Sequence, residues 1–217
     1  MRSRQWVHRR AQGCQGETLV GLLVGLALGL VVLAATTRML ANQLQGHRQA
    51  LQGSHLHHDV RSALAVMAQE LQDAQYLHDA HRLRLQTPCS DAFCGNAEDF
   101  DLATDRIEFS HDRNANGLKE NNECAGFRLS AGEIKFKTAC SPAVWTALTD
   151  VGSVRVTRLG VSVACRLQGQ RLQRRVQITL SAQWPQDPQR QLSLQQQVHL
   201  RNDLPASVLP SYCKAWS

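Results

Sequence analysis

Between Thr18 and Thr37 the chain runs for 20 residues without a charged side chain. No other feature limits its fold as strongly. A helix rises about 1.5 Å per residue, so a run of this length crosses about 30 Å of hydrocarbon. Arg2, Arg4, Arg9 and Arg10 precede it, with no acidic residue among the first sixteen. Such positive charge stays on the cytoplasmic side of a membrane. The pattern predicts a single-pass membrane protein with a cytoplasmic N-terminus and everything beyond Arg38 on the far side. Cleaved secretory signals have shorter apolar runs, about 7–15 residues. A secretory signal cut near Ala34-Ala35 is the alternative reading of the same stretch.

The helix also carries Gly21, Gly25 and Gly29 at a spacing of four. Within lipid, small residues at that spacing let two helix backbones approach closely, and packing then drives association. The competing explanation is that glycine is common in membrane helices. Three in register favour a helix-packing face.

The start of this run carries a family resemblance. A short basic leader ending in Gly16, then Glu17 and an apolar helix opening Thr18-Leu19-Val20, resembles the class III signal of type IV pilins and pseudopilins. The resemblance implies that prepilin peptidase cuts after Gly16 and that the new N-terminus at Glu17 is methylated. The helix would then anchor the chain in the inner membrane and later pack in a filament core. Two positions depart from the family pattern. The first mature residue is usually Phe or Met and here is Glu17; the fifth is usually Glu and here is Gly21. Minor subunits at a filament tip tolerate loss of the fifth-position carboxylate, so the resemblance implies a minor pilin. The expected divisions are a leader over 1–16, a transmembrane helix over 17–37, an extended amphipathic helix over 38–80 and a globular domain over 81–217.

Charge and cysteine content agree with export. The net charge of +6 suggests an acidic partner such as nucleic acid, but four of the 24 basic residues lie in the leader. Removing them leaves 20 against 18 acidic residues, or +2, and composition no longer argues for nucleic-acid contact. Of seven cysteines, Cys14 lies in the leader, and the other six form an even set suited to an oxidising compartment. Six allow 15 pairings. One pairing follows from geometry: Phe127–Ser130 and Ile134–Lys137 flank Ala131-Gly132-Glu133, a hairpin signal, with Cys124 and Cys140 equidistant from Gly132. Cys89–Cys94 closes a short loop, and Cys165–Cys213 follows by elimination. The spacings lack the paired C-x2-C units of a zinc site.

Beyond Arg38, Leu40, Leu44, Leu51 and then Val60, Leu64, Met67 and Leu71 recur at helical steps, the stripe of a helix with one buried side. No proline occurs before Pro88, and Gly46 and Gly53 are the weak points. An unbroken helix from Thr18 to Leu77 would be about 90 Å long. Its outer half lies beyond lipid, so the following domain must cover the stripe. His47, His55, His57, His58, His78 and His81 on and after this segment read as solvated side chains; the alternative is a metal shared by His55 and His58, three apart on one helix face.

From Arg106 the pattern changes to short runs: 106–110, 127–130, 134–138, 154–165, 172–184 and 192–201. Alternation within the later runs predicts a sheet with one face on a core and one on water. The fold class is α+β, a long N-terminal helix packed on an antiparallel sheet, pilin-like. The last strand reaches Leu200-Arg201-Asn202, an ending that resembles the PilW-like branch of minor pilins.

The segment Asp112 to Glu123 matches the calcium-loop pattern D-x-[DN]-x-[DN]-G-x5-E. Ca²⁺ takes six to eight oxygens, which Asp112, Asn114, Asn116, the Leu118 carbonyl, Glu120 and Glu123 would supply. Three carboxylates, with Arg113 and Lys119 beside them, place the expected affinity near about 10⁻⁴–10⁻³ M. The other reading is an Asn/Gly-rich turn using the same residues for positive φ. No nucleophile elbow, zinc-protease helix, phosphate loop or dinucleotide fingerprint is present, so no enzyme is expected.

These features predict a minor pilin in the tip or priming complex of a type IV pilus, partnered by other minor pilins and the major pilin. It would finally reside in the pilus at the cell surface and support assembly for motility, adhesion or DNA uptake. The alternatives are a minor pseudopilin of a type II secretion system and a membrane-anchored periplasmic binding module.

Overall fold

A computed structural model describes residues 18–80 and 89–215 of the chain. It divides into two units, Met1–Leu51 and Gln52–Ser217. One helix, α1 (Leu19–Gln72), contributes to both. The Thr18 carbonyl and hydroxyl both accept from the Gly21 N–H, at 2.8 and 3.4 Å, as expected of a residue capping a helix start. The helix passes Gly46 and Gly53 without interruption.

The helix stops at Gln72, five residues before Leu77. Its end is set by tertiary bonds. Gln75 takes φ 57° and donates its N–H to the Ser110 carbonyl at 2.7 Å, a backbone turn a helix cannot make. The covered stripe is also shorter than the sequence implies. Leu40, Leu44 and Leu51 are exposed, whereas Leu56, Val60, Leu64, Met67 and Leu71 are buried.

Among the described residues of the second unit, ten strands form two sheets. The first is an antiparallel meander of β1 (Phe100–Leu102), β2 (Arg106–Ser110), β3 (Cys124–Ser130), β4 (Glu133–Lys137) and β5 (Trp145–Ala147). Ala131 and Gly132, at φ 55° and 84°, make the two-residue turn between β3 and β4 that pairs Ser130 with Glu133. The second sheet has the order β10 (Cys213–Ala215), β6 (Arg155–Gln168), β7 (Arg171–Trp184), β8 (Asp187–His199), with β9 (Leu204–Pro205) beside one end of β7. The β10–β6 pair is parallel and the others are antiparallel. Gly160 does not interrupt β6; the irregularity in its pairing falls between Val156 and Arg158. The strands missed by sequence patterning are β1, β5, β9 and β10, each of two or three residues, too short to show alternation.

The buried stripe of α1 shares one core with the inner faces of both sheets, through Ile107, Phe109, Phe127 and Ile134 from the first and Val163, Val176, Ile178 and Leu180 from the second. This is an α+β fold of pilin-like layout.

Candidate functional site

The anchor segment begins with the helix. Its most apolar 18-residue window has a mean hydropathy of 2.6 and lies wholly exposed, which makes it a candidate membrane span. Leu22, Leu26 and Leu33 stand about 60 % exposed around it, a surface whose removal from water is worth about 25 cal/mol per Å². A side chain added at Gly25 or Gly29 would meet nothing within 4 Å, and one at Gly21 would meet only the Thr18 hydroxyl at 3.5 Å. The three glycines thus leave a strip of bare backbone along the helix. Gly16 and Glu17, the expected processing site, lie outside the described residues, as do Cys14 and His81. His47, His55, His57 and His58 are exposed on α1.

The loop between β2 and β3 is held by its own acidic side chains. Asp112 is buried, and its carboxylate accepts N–H groups from Asn116, Gly117 and His78, each at 3.0 Å. Glu123 is fully buried and accepts from Arg113 at 2.9 Å, Asn114 at 3.5 Å and Glu120 at 2.8 Å. Asn114 and Asn116 direct their side-chain amides at Glu120, at 2.9 and 3.3 Å, while the Asn116 side-chain oxygen accepts from the Leu118 N–H at 2.7 Å. Ala115 and Gly117 sit at φ 60° and 74° to allow the curl. The two cations of the loop turn away from this centre: Lys119 reaches the buried Asp99 at 2.5 Å and Arg113 reaches Glu70 at 3.4 Å.

The residues expected to ligate calcium therefore meet in one loop, held mostly by oxygen-to-amide hydrogen bonds. A carboxylate offers about four lone-pair sites, and Asp112 and Glu123 each use three on amides. The donor types fit a hard cation, but an ion would compete with those amides for oxygen. Among the described residues no group of three or more His, Cys, Asp and Glu side chains is arranged to hold a metal.

Beside the loop is a cleft of about 370 Å³ lined by Asp73, Tyr76, His111, Asp112, Arg113, Arg201 and Asn202. His111 is buried and its Nδ1 has no hydrogen-bond partner. Burial first, then the nearby Arg113 charge, push its pKa below the ordinary histidine value, opposed by Glu70, Asp73 and Glu123.

The structure pairs Cys124 with Cys140, Cys89 with Cys94 and Cys165 with Cys213, at Cα separations of 4.9, 4.7 and 5.3 Å. The first joins the start of β3 to the segment after β4, where the Cys140 N–H also reaches the Asn121 carbonyl at 2.8 Å. The third ties β10 to β6. All three bridges lie in the second unit.

Sequence reasoning missed the role of Leu200-Arg201-Asn202. The Arg201 N–H donates to the Gln72 carbonyl at 3.0 Å, its guanidinium meets Asp73 at 3.3 Å, and the Asn202 side-chain amide donates to the Ala74 carbonyl at 3.2 Å. Arg201 therefore satisfies the Gln72 carbonyl that α1 leaves open at its C-terminus, and Asn202 satisfies the Ala74 carbonyl just beyond it. Arg174, also buried, completes the junction by bonding the Gln75 side chain, the Tyr212 hydroxyl and the Asn202 carbonyl. A strand-interior arginine among alternating apolar residues was the available signal.

Residues 49–200 match the family described as prepilin peptidase-dependent protein B. The chain belongs to that family. The match covers the buried part of α1 and both sheets up to the end of β8. No curated protein and no solved structure matches the chain. Membership in the prepilin peptidase-dependent protein B family makes this a type IV pilus-related, pilin-like protein, and pilin-like families are structural in kind. The exposed apolar helix ahead of the match is consistent with a prepilin-like anchor.

Proposed function

We propose that this chain is a minor pilin of the PilW-like branch, cut after Gly16 and anchored through the helix that follows, and that it acts in the tip or priming complex of a type IV pilus. The observation that carries the reading is the family match over 49–200 joined to an exposed apolar helix beginning at Leu19. Gly21 supports a minor rather than bulk subunit, because the fifth mature position then lacks a carboxylate. The Gly21, Gly25 and Gly29 strip supplies a surface for neighbouring helices, first in the inner membrane and then in the filament. Other minor pilins and the major pilin are the partners this reading requires.

Mass spectrometry of the protein from cells with active prepilin peptidase tests the reading. The expected product begins at methylated Glu17. A product retaining residues 1–16 overturns it, and one beginning after Ala35 does the same in favour of an exported, unanchored domain.

We extend the proposal to the Asp112–Glu123 loop, where Ca²⁺ would add order and perform no chemistry. A thermal midpoint that rises with millimolar Ca²⁺ and falls with chelator is the expected result. Equal midpoints remove calcium from the reading.

A further inference from the structure

The second sheet turns one face to the core and the other outward, and strand register fixes what the outward face carries. Along β7, Leu172, Arg174, Val176, Ile178, Leu180 and Ala182 are buried, so the alternate side chains point the other way. Across the strands, Lys214 of β10 pairs with Ala164 of β6, Ala164 with Arg175 of β7, and Arg175 with His199 of β8. These residues share the outward face. One outward step along β6 stands Arg166, and past it Gln168 pairs with Arg171. Arg166, Arg171 and Lys214 are exposed. Neighbouring strands lie about 4.8 Å apart and outward residues along a strand about 6.7 Å apart, so the cations fill a patch about 15 Å across.

The rest of this face is as informative. Its other outward positions in β6, β7 and β8 are Gln, Ser, Thr, Gly, Ala and, toward the far end, Arg158 and Arg155. None is acidic and none is aromatic. Neighbouring side chains bond to one another, Gln177 to Gln195 and Gln197 at 3.4 and 3.5 Å and Ser181 to Ser193 at 3.1 Å, which makes a flat, polar surface. Two of the described carboxylates stand at the sheet's ends, one opening β8 and one just before β9. Asp187 is bridged to Arg190 at 3.0 Å, and Asp203 lies within the influence of Arg171 and Arg174.

A protein-binding surface needs an apolar or aromatic centre, which this face lacks. Single-stranded nucleic acid is held largely by stacking on aromatic side chains, also lacking here. Arg, Lys, Gln, Ser and Thr are the side chains that contact phosphate and sugar oxygens of a duplex. From this charge complementarity we infer that the outward face of the second sheet binds the phosphate backbone of duplex nucleic acid without reading its sequence. The inference does not depend on whether the chain enters a filament.

The test uses the full chain in neutral detergent and fluorescence anisotropy with a labelled random-sequence duplex of about 30 base pairs. Affinity should fall steeply with salt, since each neutralised phosphate contributes about 0.9 to the log–log slope. The double variant R166Q/R171Q should bind at least about fivefold more weakly at low salt and lower the slope by about 2. Lys135→Gln, on the first sheet, should bind like the parent protein, and circular dichroism of all three should coincide. The inference is overturned by absence of binding at low salt, by parental binding in R166Q/R171Q, or by preference for single strands. Capture by phosphatidylglycerol vesicles with the duplex ignored would likewise overturn it and assign the face to a membrane surface.

Discussion

Three buried residues show how much one position decides in this protein. Glu123 accepts three backbone N–H bonds with no exposure to water, so Glu123→Ala would strand those donors. A loss of about 2–3 kcal/mol is expected in urea unfolding. Glu123→Gln, which keeps the shape and one acceptor, should lose less. His111 gives a pH dependence of definite sign. Its folded pKa lies below the unfolded value near 6.5, so the unfolded chain binds the proton more readily. Stability present above about pH 6.5 is therefore lost as pH falls through the lowered folded value. Melting midpoints of His111→Phe should decline less over that window than those of the parent. Gly126 is required for close approach: a Cβ there would stand 2.7 Å from the Ile107 carbonyl oxygen across the β2–β3 pair. Gly126→Ala should cost about 1–3 kcal/mol by overpacking, read from the same unfolding curves.

At the scale of elements, the end of α1 is the informative place. Apolar periodicity along 60–71 correctly indicated a buried helical face, because burial and period reinforce each other there. The terminus could not be read that way. Residues 73–77 are as compatible with helix as those before them, and what stops the helix is Gln75 bonding Ser110 while Arg201 and Asn202 occupy the Gln72 and Ala74 carbonyls. Asn202→Ala should loosen this junction by about 1 kcal/mol and speed amide exchange in the last turn of α1 while leaving the centre of β7 protected. Equal exchange in both proteins would show that the tripeptide merely lies alongside the helix. The Asp112–Glu123 loop teaches a related lesson. Its pattern named the residues that converge, and in the fold the oxygens of Asp112 and Glu123 accept amide hydrogens, contacts with which a bound ion would compete.

For the molecule as a whole, the disulfides act mainly on the unfolded chain. Cys165–Cys213 closes 48 residues, so its loss should lower stability by up to about 4 kcal/mol in the chain-entropy account. A Cys165→Ser/Cys213→Ser variant should therefore melt earlier, with β10 the first segment to gain exchange. By itself the sequence determined the apolar anchor helix, the α+β class and the alternating strands, because each follows from composition and period along the chain. It also named the converging loop residues. Only the tertiary structure decided where α1 ends, how far its stripe is covered and which cations share a face. A net charge near +2 without the leader averages over position, whereas strand register gathers Arg166, Arg171, Arg175 and Lys214 on one side of one sheet. Those residues lie up to 48 positions apart in the chain (Arg166 to Lys214), and only hydrogen-bonded pairing across strands brings them together.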